Sequence, residues 1–124
     1  MNLNPTSKIG SKGEQMACDF LETRGHHILD RNWRGGHLEL DIVSEAPDGV
    51  HFVEVKARTA PAAAPMEKQV TPVKQKRITA AASQYLTKNH LQGKEVYFDV
   101  VSVLFDGTGA MVQYYPQAWI PMFA

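Results

Sequence analysis

Residues 38–56 read LELDIVSEAPDGVHFVEVK, and this stretch determines how the rest of the chain is arranged. Two runs in which apolar and polar residues alternate, 38–43 and 50–56, flank the segment Ala46-Pro47-Asp48-Gly49. Two alternating runs joined by an Asp-Gly turn are the strongest short-range signal for a β-hairpin. We therefore predict two antiparallel strands here.

The position of the turn predicts which residues face each other. If Asp48-Gly49 is a two-residue turn, Val43 pairs with Glu54 and Asp41 pairs with Lys56. Because side chains alternate between the two faces of a strand, the charged residues fall on one face and the apolar ones on the other. The charged face holds Glu39, Asp41, Glu54 and Lys56, and the core face holds Leu40, Ile42, Val53 and Val55. A slip of one residue would invert both sets, and the apolar set argues against it.

The charged face suits a hard divalent cation. Directly opposed residues of such a pair lie about 4.5–5.5 Å apart, so two or three carboxylates and a lysine fit around one ion. Mg²⁺ takes one or two protein carboxylates and keeps several waters for a phosphate and a nucleophile. An ordinary cross-strand ion pair between Asp41 and Lys56 is the alternative explanation.

An acidic residue on one strand followed by Glu-x-Lys on the next is similar to the PD-(D/E)xK nuclease superfamily. From about residue 10 to residue 105 the chain resembles one bacterial family of that superfamily, the YraN-like proteins. The matching segments are Gly13-Glu14, Arg31-Asn32-Trp33-Arg34, Glu39-Leu40-Asp41, Phe52-Val53-Glu54-Val55-Lys56, Val70-Thr71-Pro72, Lys74-Gln75 and Phe98-Asp99-Val100-Val101. The family usually has a glycine immediately before the acidic pair, whereas this chain has Leu38, which leaves the shape of the site's rim open.

The resemblance implies a restriction-endonuclease-like α/β sandwich with a mixed β-sheet flanked by helices. It also implies a metal-dependent nuclease that hydrolyses phosphodiester bonds in DNA, including structured or branched DNA. Asp41 and Glu54 would hold Mg²⁺ or Mn²⁺, Glu14 or Glu39 would complete the site, and Lys56 would position the water and offset charge on the phosphate. The alternative function is a non-catalytic nucleic-acid-binding or scaffold protein that retains the fold.

Composition places the chain among ordinary globular proteins, with 44% apolar and 21% charged residues in 124. We predict a single domain over 1–124, with 1–10 flexible and 58–70 a mobile loop. Thirteen basic and thirteen acidic side chains cancel, which counts against a purely electrostatic nucleic-acid binder. No apolar run approaches the ~20 residues of a membrane span, and residues 1–13 are too polar for a signal peptide, so a cytoplasmic location is expected.

The remaining elements follow from cap and turn signals. Ser11-Lys12-Gly13-Glu14 fits a capping box at the start of a helix that ends near Arg24, and this role for Glu14 needs no metal. A strand is predicted over 26–34, a second helix from Thr71-Pro72, a central strand over 95–105 and a last strand that Pro116 ends. The predicted element order is α-β-β-β-α followed by one or two β-strands.

The densest basic cluster lies in the first turns of the predicted second helix. Such a run is usually a solvated face, but its place beside a loop and a helix N-terminus also suits contact with phosphate. The predicted nucleic-acid-binding residues are Lys74, Gln75, Lys76, Arg77, Arg34 and Arg58. Asp99, within the central strand, is expected to have a structural hydrogen-bonding role. The apolar C-terminus, with Trp119 and Ile120, either packs on the domain or forms a homodimer contact.

Overall fold

The computed structural model describes residues 5–60 and 69–121, with side chains from Gly10 onward. The elements are α1 (Pro5–Thr23), β1 (His27–Gly35), β2 (Leu38–Ala46), β3 (Gly49–Thr59), α2 (Pro72–Lys88), β4 (Val96–Phe105) and β5 (Ala110–Trp119). They form one five-stranded sheet in the order β1-β2-β3-β4-β5. Only the β3–β4 pair is parallel among these neighbours. The predicted α/β sandwich with a mixed sheet is confirmed.

Each face of the sheet is covered by one helix. The α2 face buries Val43, Phe52 and Tyr85 in one apolar cluster. The α1 face buries a second cluster that includes Ile42 and Val53. The predicted core face is wrong at one position, because Leu40 belongs to the α2 cluster although Ile42 belongs to the α1 cluster.

The hairpin forms from the predicted strands, but its register differs by two residues. Ala46 pairs with Gly49, so the turn residues are Pro47 and Asp48. Proline suits the first central position of such a turn. Gly49 has φ +149° and lies against the start of β4, where a Cβ atom would come 2.3 Å from the carbonyl oxygen of Glu95. Position 49 therefore requires glycine, because the backbone of Glu95 approaches it closely. Because the shift is even, the division of charged and apolar faces along β3 survives.

Helix α1 starts at Pro5, so residues 5–10 are helical and the capping box predicted at Ser11 is wrong. The glycine at 13 explains how this helix docks. A Cβ atom on Gly13 would lie 2.6 Å from the Cβ of Ala57, so α1 packs against β3 with almost no space between them. Residues 1–4, in the predicted flexible segment, lie outside the described residues.

Strand β5 continues through Pro116 instead of ending there. An edge strand tolerates proline at a bulge, and the ladder shifts between Val100↔Tyr115 and Phe98↔Trp119. The fully buried Asp99 carboxylate fills this irregularity. It accepts hydrogen bonds from the Gln117 N–H at 2.9 Å and the Tyr114 hydroxyl at 2.5 Å, and it pairs with the His51 ring at 2.6 Å. The expected structural role of Asp99 agrees with these contacts.

Helix α2 begins as predicted. The Thr71 hydroxyl accepts the Lys74 N–H at 3.3 Å and Pro72 occupies the first turn. Its apolar side buries Ile78, Ala81, Ala82 and Tyr85, whereas Val73 is exposed. The loop predicted over 58–70 starts too early, because Arg58 and Thr59 belong to β3; residues 61–68 lie outside the described residues.

Candidate active site between two diverging strands

The candidate site lies where β2 and β3 separate. Their ladder runs from Ala46↔Gly49 to Ile42↔Val53. Beyond that point β2 stays paired with β1 down to Gly35↔Leu38, while β3 stays paired with β4 as far as Thr59↔Phe105. A cleft therefore opens between the two strands, and residues just past the last pair line it.

The cleft is a cavity of about 670 Å³ to which both helices contribute. Its described lining residues are Gly10, Glu14, Glu39, Asp41, Glu54, Val55, Ala57, Arg58 and Lys74. The predicted carboxylates therefore meet at one place. The register explains why, since continuing it by one position sets Asp41 opposite Glu54. In the predicted register Asp41 would have faced Lys56.

Asp41 and Glu54 form the centre of the site. The Asp41 carboxylate accepts the Val55 N–H at 2.9 Å, a backbone donor that the separating strand leaves available. Burial raises the pKa of Asp41, and the charge of Glu54 raises it further, to about 7. Two acids this close and this poorly solvated strongly favour a cation beside them.

Lys74 supplies a cation at this position. Its Nζ lies 2.5 Å from Oε1 of Glu54, whose side chain is only 8% exposed, whereas that of Lys74 is 53% exposed. Burial lowers the pKa of Lys74, but the hydrogen bond and charge of Glu54, with the charges of Asp41 and Glu39, raise it above its ordinary value overall. Lys74 was predicted to contact phosphate, and its position on the carboxylates was missed.

Glu14 and Glu39 lie on the cavity wall and have other partners. The Asn32 side-chain amide donates to Glu14 Oε2 at 2.9 Å. Asn32 has φ +51°, a conformation that asparagine adopts more readily than most residues. Burial raises the pKa of Glu14, an effect opposed by the Asn32 hydrogen bond. Arg34 lies 3.5 Å from Glu39 at the exposed rim.

Lys56, the lysine of the motif, is not among the described residues that line the cavity. It is half-buried in β3, opposite Ser102 in the parallel ladder, and it has an interaction partner of its own. Arg58 lies two positions further along the strand and does line the cavity. The structure therefore brings Asp41 and Glu54 together with Arg58 and Lys74 on one cavity wall.

A second cavity of about 360 Å³ adjoins the first and shares Glu39 and Lys74 with it. It is lined by His37, Glu39, Thr71, Val73, Lys74, Arg77 and Ile78. Arg77 thus lies near the site, one turn after Lys74. Lys76 is exposed. Gln75 lies elsewhere, because its amide donates to the Val70 carbonyl oxygen at 2.8 Å and it lines a different cavity beside Tyr115.

The residues present fit a divalent cation held mainly by two carboxylates. In the described ranges, 5–60 and 69–121, no group of three or more His, Cys, Asp and Glu side chains is close enough to bind a metal ion. Mg²⁺, however, takes only one or two carboxylates and completes its coordination with water and substrate oxygens. Asp41 and Glu54 would hold such an ion, and Glu14 and Glu39 would act on it through charge or through bound water.

The sheet, its two flanking helices and the carboxylates in the cleft define an α/β protein of the restriction-endonuclease-like class. The chain belongs to the family described as "Uncharacterised protein family UPF0102", the YraN-like family, whose profile matches residues 13–103. A UPF0102 protein of Pelobacter propionicus is 43% identical over 102 residues, which cover 81% of this chain and 73% of the relative.

Two further relatives match along most of their length. A UPF0102 protein of Myxococcus xanthus is 40% identical over 112 residues, covering 90% of this chain and 89% of the relative. One of Geobacter metallireducens is 38% identical over 111 residues, covering 90% and 91%. Within the described residues, neither helix is both long and apolar enough to pass through a membrane.

Proposed function

We propose that this protein is a metal-dependent nuclease that hydrolyses phosphodiester bonds in DNA. The observation that carries the proposal is the convergence of Asp41 and Glu54 on one open cavity that Glu14 and Glu39 also line. The buried carboxylate of Glu54 beside the half-buried Asp41 is costly unless a cation compensates the pair. A site that binds a divalent cation and an anionic substrate in turn gives this arrangement a purpose.

Hydrolysis joins a water oxygen to the phosphorus atom while the P–O bond to the leaving sugar oxygen breaks. The water gives up a proton and the leaving oxygen gains one. A bound Mg²⁺ or Mn²⁺ would make that water more acidic and stabilise charge on the phosphate. Asp41 and Glu54 would hold the ion, and Arg58, on the same cavity wall, would hold the phosphate. The motif assigns Lys56 to the attacking water, and Lys56→Gln tests that assignment.

A non-catalytic nucleic-acid-binding protein is the second candidate. It is favoured by the two cations on the cavity wall, Arg58 and Lys74, which suit a bound phosphate. In that case the cavity would bind a phosphate through Arg58 and Lys74 without cleaving it.

The test compares the wild-type protein with Asp41→Asn, which keeps the side-chain shape and an oxygen for the Val55 N–H. Mn²⁺ is titrated by calorimetry, and labelled linear, flapped and four-way DNA are incubated with protein and Mn²⁺. We expect a binding heat and cleavage of at least one substrate from the wild type, with cleavage by Asp41→Asn reduced about 100-fold or more. Glu22→Gln is the control, since this exposed residue lies two turns beyond Glu14 in α1.

Equal Mn²⁺ heats from the wild type and Asp41→Asn would remove the metal site and the nuclease proposal with it. Metal-independent binding of DNA without cleavage would instead establish the second candidate. The three DNA forms separate a preference for branched substrates from a preference for linear ones.

A further inference from the structure

The ammonium group of Lys74 occupies the place where a cation is needed. It contacts Glu54, and the charges of Asp41 and Glu39 also act on it. The buried carboxylate of Glu54 needs a countercharge, and Lys74 forms an ion pair with it. The lysine that α2 contributes thus stands in for the divalent cation.

Lys74 and a divalent cation compete for the same carboxylates. With both present, the ammonium and the ion would share the carboxylate of Glu54 and repel each other at short range. The side chain of Lys74 can turn into the adjacent cavity, because it also lines that cavity with His37 and Arg77. The lysine side chain is flexible along its four-carbon stem, while its backbone is held by the Thr71 cap.

We propose that Lys74 alternates between two positions, pairing with Glu54 in the metal-free protein and turning into the adjacent cavity, beside Arg77, to hold a substrate phosphate when a divalent cation is bound. This proposal rests on the metal-dependent function proposed above. It assigns the cavity of about 360 Å³ as the subsite for a phosphate that neighbours the scissile one. Lys74 then balances the charge of Glu54 in the metal-free protein, and it contacts a substrate phosphate only in the metal-loaded protein.

The first measurement is Mn²⁺ affinity by calorimetry for the wild type, Lys74→Gln and Lys76→Gln. Lys76 is two residues along the same helix and exposed, so its replacement removes the same charge without removing the contact with Glu54. We expect Lys74→Gln to bind Mn²⁺ about five- to tenfold more tightly, the scale of one ion pair to a buried carboxylate. Lys76→Gln should stay within about twofold of the wild type.

The second measurement follows the amine of Lys74 by its rate of reductive methylation, read by mass spectrometry. In the wild type, Mn²⁺ should accelerate labelling of Lys74 because it leaves Glu54. In Glu54→Gln, labelling should be fast with or without Mn²⁺. Labelling of Lys88, at the far end of α2, reports any general effect of the ion.

The third measurement is the salt dependence of binding to a short labelled DNA duplex in Ca²⁺ and in EDTA. If Lys74 contacts a phosphate, removing that contact lowers the magnitude of the slope of log affinity against log salt by about 1. We expect that difference between the wild type and Lys74→Gln in Ca²⁺ and none in EDTA.

The outcomes separate the two proposals. If the wild type binds no Mn²⁺, or Asp41→Asn binds it equally well, the metal site is wrong and the alternation falls with it. If the wild type binds Mn²⁺ at Asp41 but Lys74→Gln binds no more tightly than Lys76→Gln, the alternation alone is overturned. Labelling of Lys74 that ignores Mn²⁺, or equal salt slopes in Ca²⁺, overturns it as well.

Discussion

Asp99 is a fully buried charged residue whose carboxylate has three neighbouring polar groups. It holds the irregular part of β5 through the Gln117 N–H and joins that strand to β3 through His51. A buried carboxylate with this many donors stabilises the fold only while all of them remain in place. Asp99 pairs with Val53, the neighbour of Glu54, but it is not among the described residues that line the carboxylate cleft, and its contacts are structural ones.

Replacing Asp99 with Asn should lower the free energy of unfolding by about 3 kcal/mol, because the neutral amide loses the charge-assisted bonds and presents a donor to Tyr114 and His51. Urea unfolding measures the change. Asp19→Asn is the control, since Asp19 is exposed and accepts from the neighbouring Gln15 side chain; its effect should stay within about 0.5 kcal/mol. Similar midpoints for the two variants would contradict the structural role of Asp99.

Lys74 shows which contact of a single residue could not be predicted from the sequence. Its place in the first turn of α2 follows from the Thr71-Pro72 cap. Its contact with Glu54 depends on how far α2 slides along the sheet, which packing at residues such as Ile78 and Tyr85 determines. No local pattern carries that information, so the basic cluster could be predicted and its target could not. Lys56 shows the converse, since its motif position is clear but it is not among the described residues that line the cavity.

The docking of α1 depends on glycine at position 13, which has no side chain. Gly13 meets Ala57 so closely that even a methyl group would overlap it. The methyl of Ala57 is fixed to the strand and cannot turn away. The close contact sets the height of α1 above β3, and with it the position of Glu14 in the cavity wall.

Gly13→Ala should therefore destabilise the protein by about 1–3 kcal/mol despite the better helix propensity of alanine. Gly10→Ala is the matched change, because a Cβ at Gly10 has no neighbour within 4 Å, and it should stabilise by up to about 1 kcal/mol. Thermal unfolding of both variants provides the comparison. A Gly13→Ala protein as stable as Gly10→Ala would show that α1 can move away from β3 without cost.

The hairpin was predicted as an element but with the wrong turn. Alternation of apolar and charged residues indicates which residues share a face, and it cannot distinguish registers that differ by two. Asp48-Gly49 resembled the better turn, yet Gly49 is needed against Glu95, a contact with a strand 46 residues further along the chain. The convergence of Asp41 and Glu54 could be predicted from parity, whereas their direct opposition depends on the register.

The stability of the whole molecule should depend on pH through His51. Burial lowers the pKa of this ring, but hydrogen bonds and charges of Asp99 and Asp48 raise it above the ordinary value overall. A group whose folded-state pKa is raised contributes stability that is complete below its unfolded pKa and is lost as pH rises through the folded value. Asp41 has the same sign, but its contribution has largely gone by about pH 7. His26, whose ring lies 4.5 Å from His51, has a pKa lowered by burial and loses stability only as pH falls.

We therefore expect the melting temperature to fall between pH 6.5 and pH 8. One proton changes the free energy of unfolding by at most about 1.4 kcal/mol per pH unit. His51→Gln should be less stable at pH 6.5 and should show a flatter profile across that window. Differential scanning calorimetry in buffers of equal ionic strength measures both. An unchanged slope in His51→Gln would assign the pH dependence to another group.

The separation of β2 from β3 divides the sheet into a two-stranded ribbon, β1 with β2, and a three-stranded ribbon of β3, β4 and β5. The ribbons are joined firmly at Ala46↔Gly49 and run apart at the other end. Twisting of the two ribbons can change the distance between their separated ends while the paired end stays closed. A molecule bound across the gap would hold both separated ends in place. On binding, deuterium exchange of the amide hydrogens near residues 39–41 and 54–58 would then slow more than exchange near the paired end.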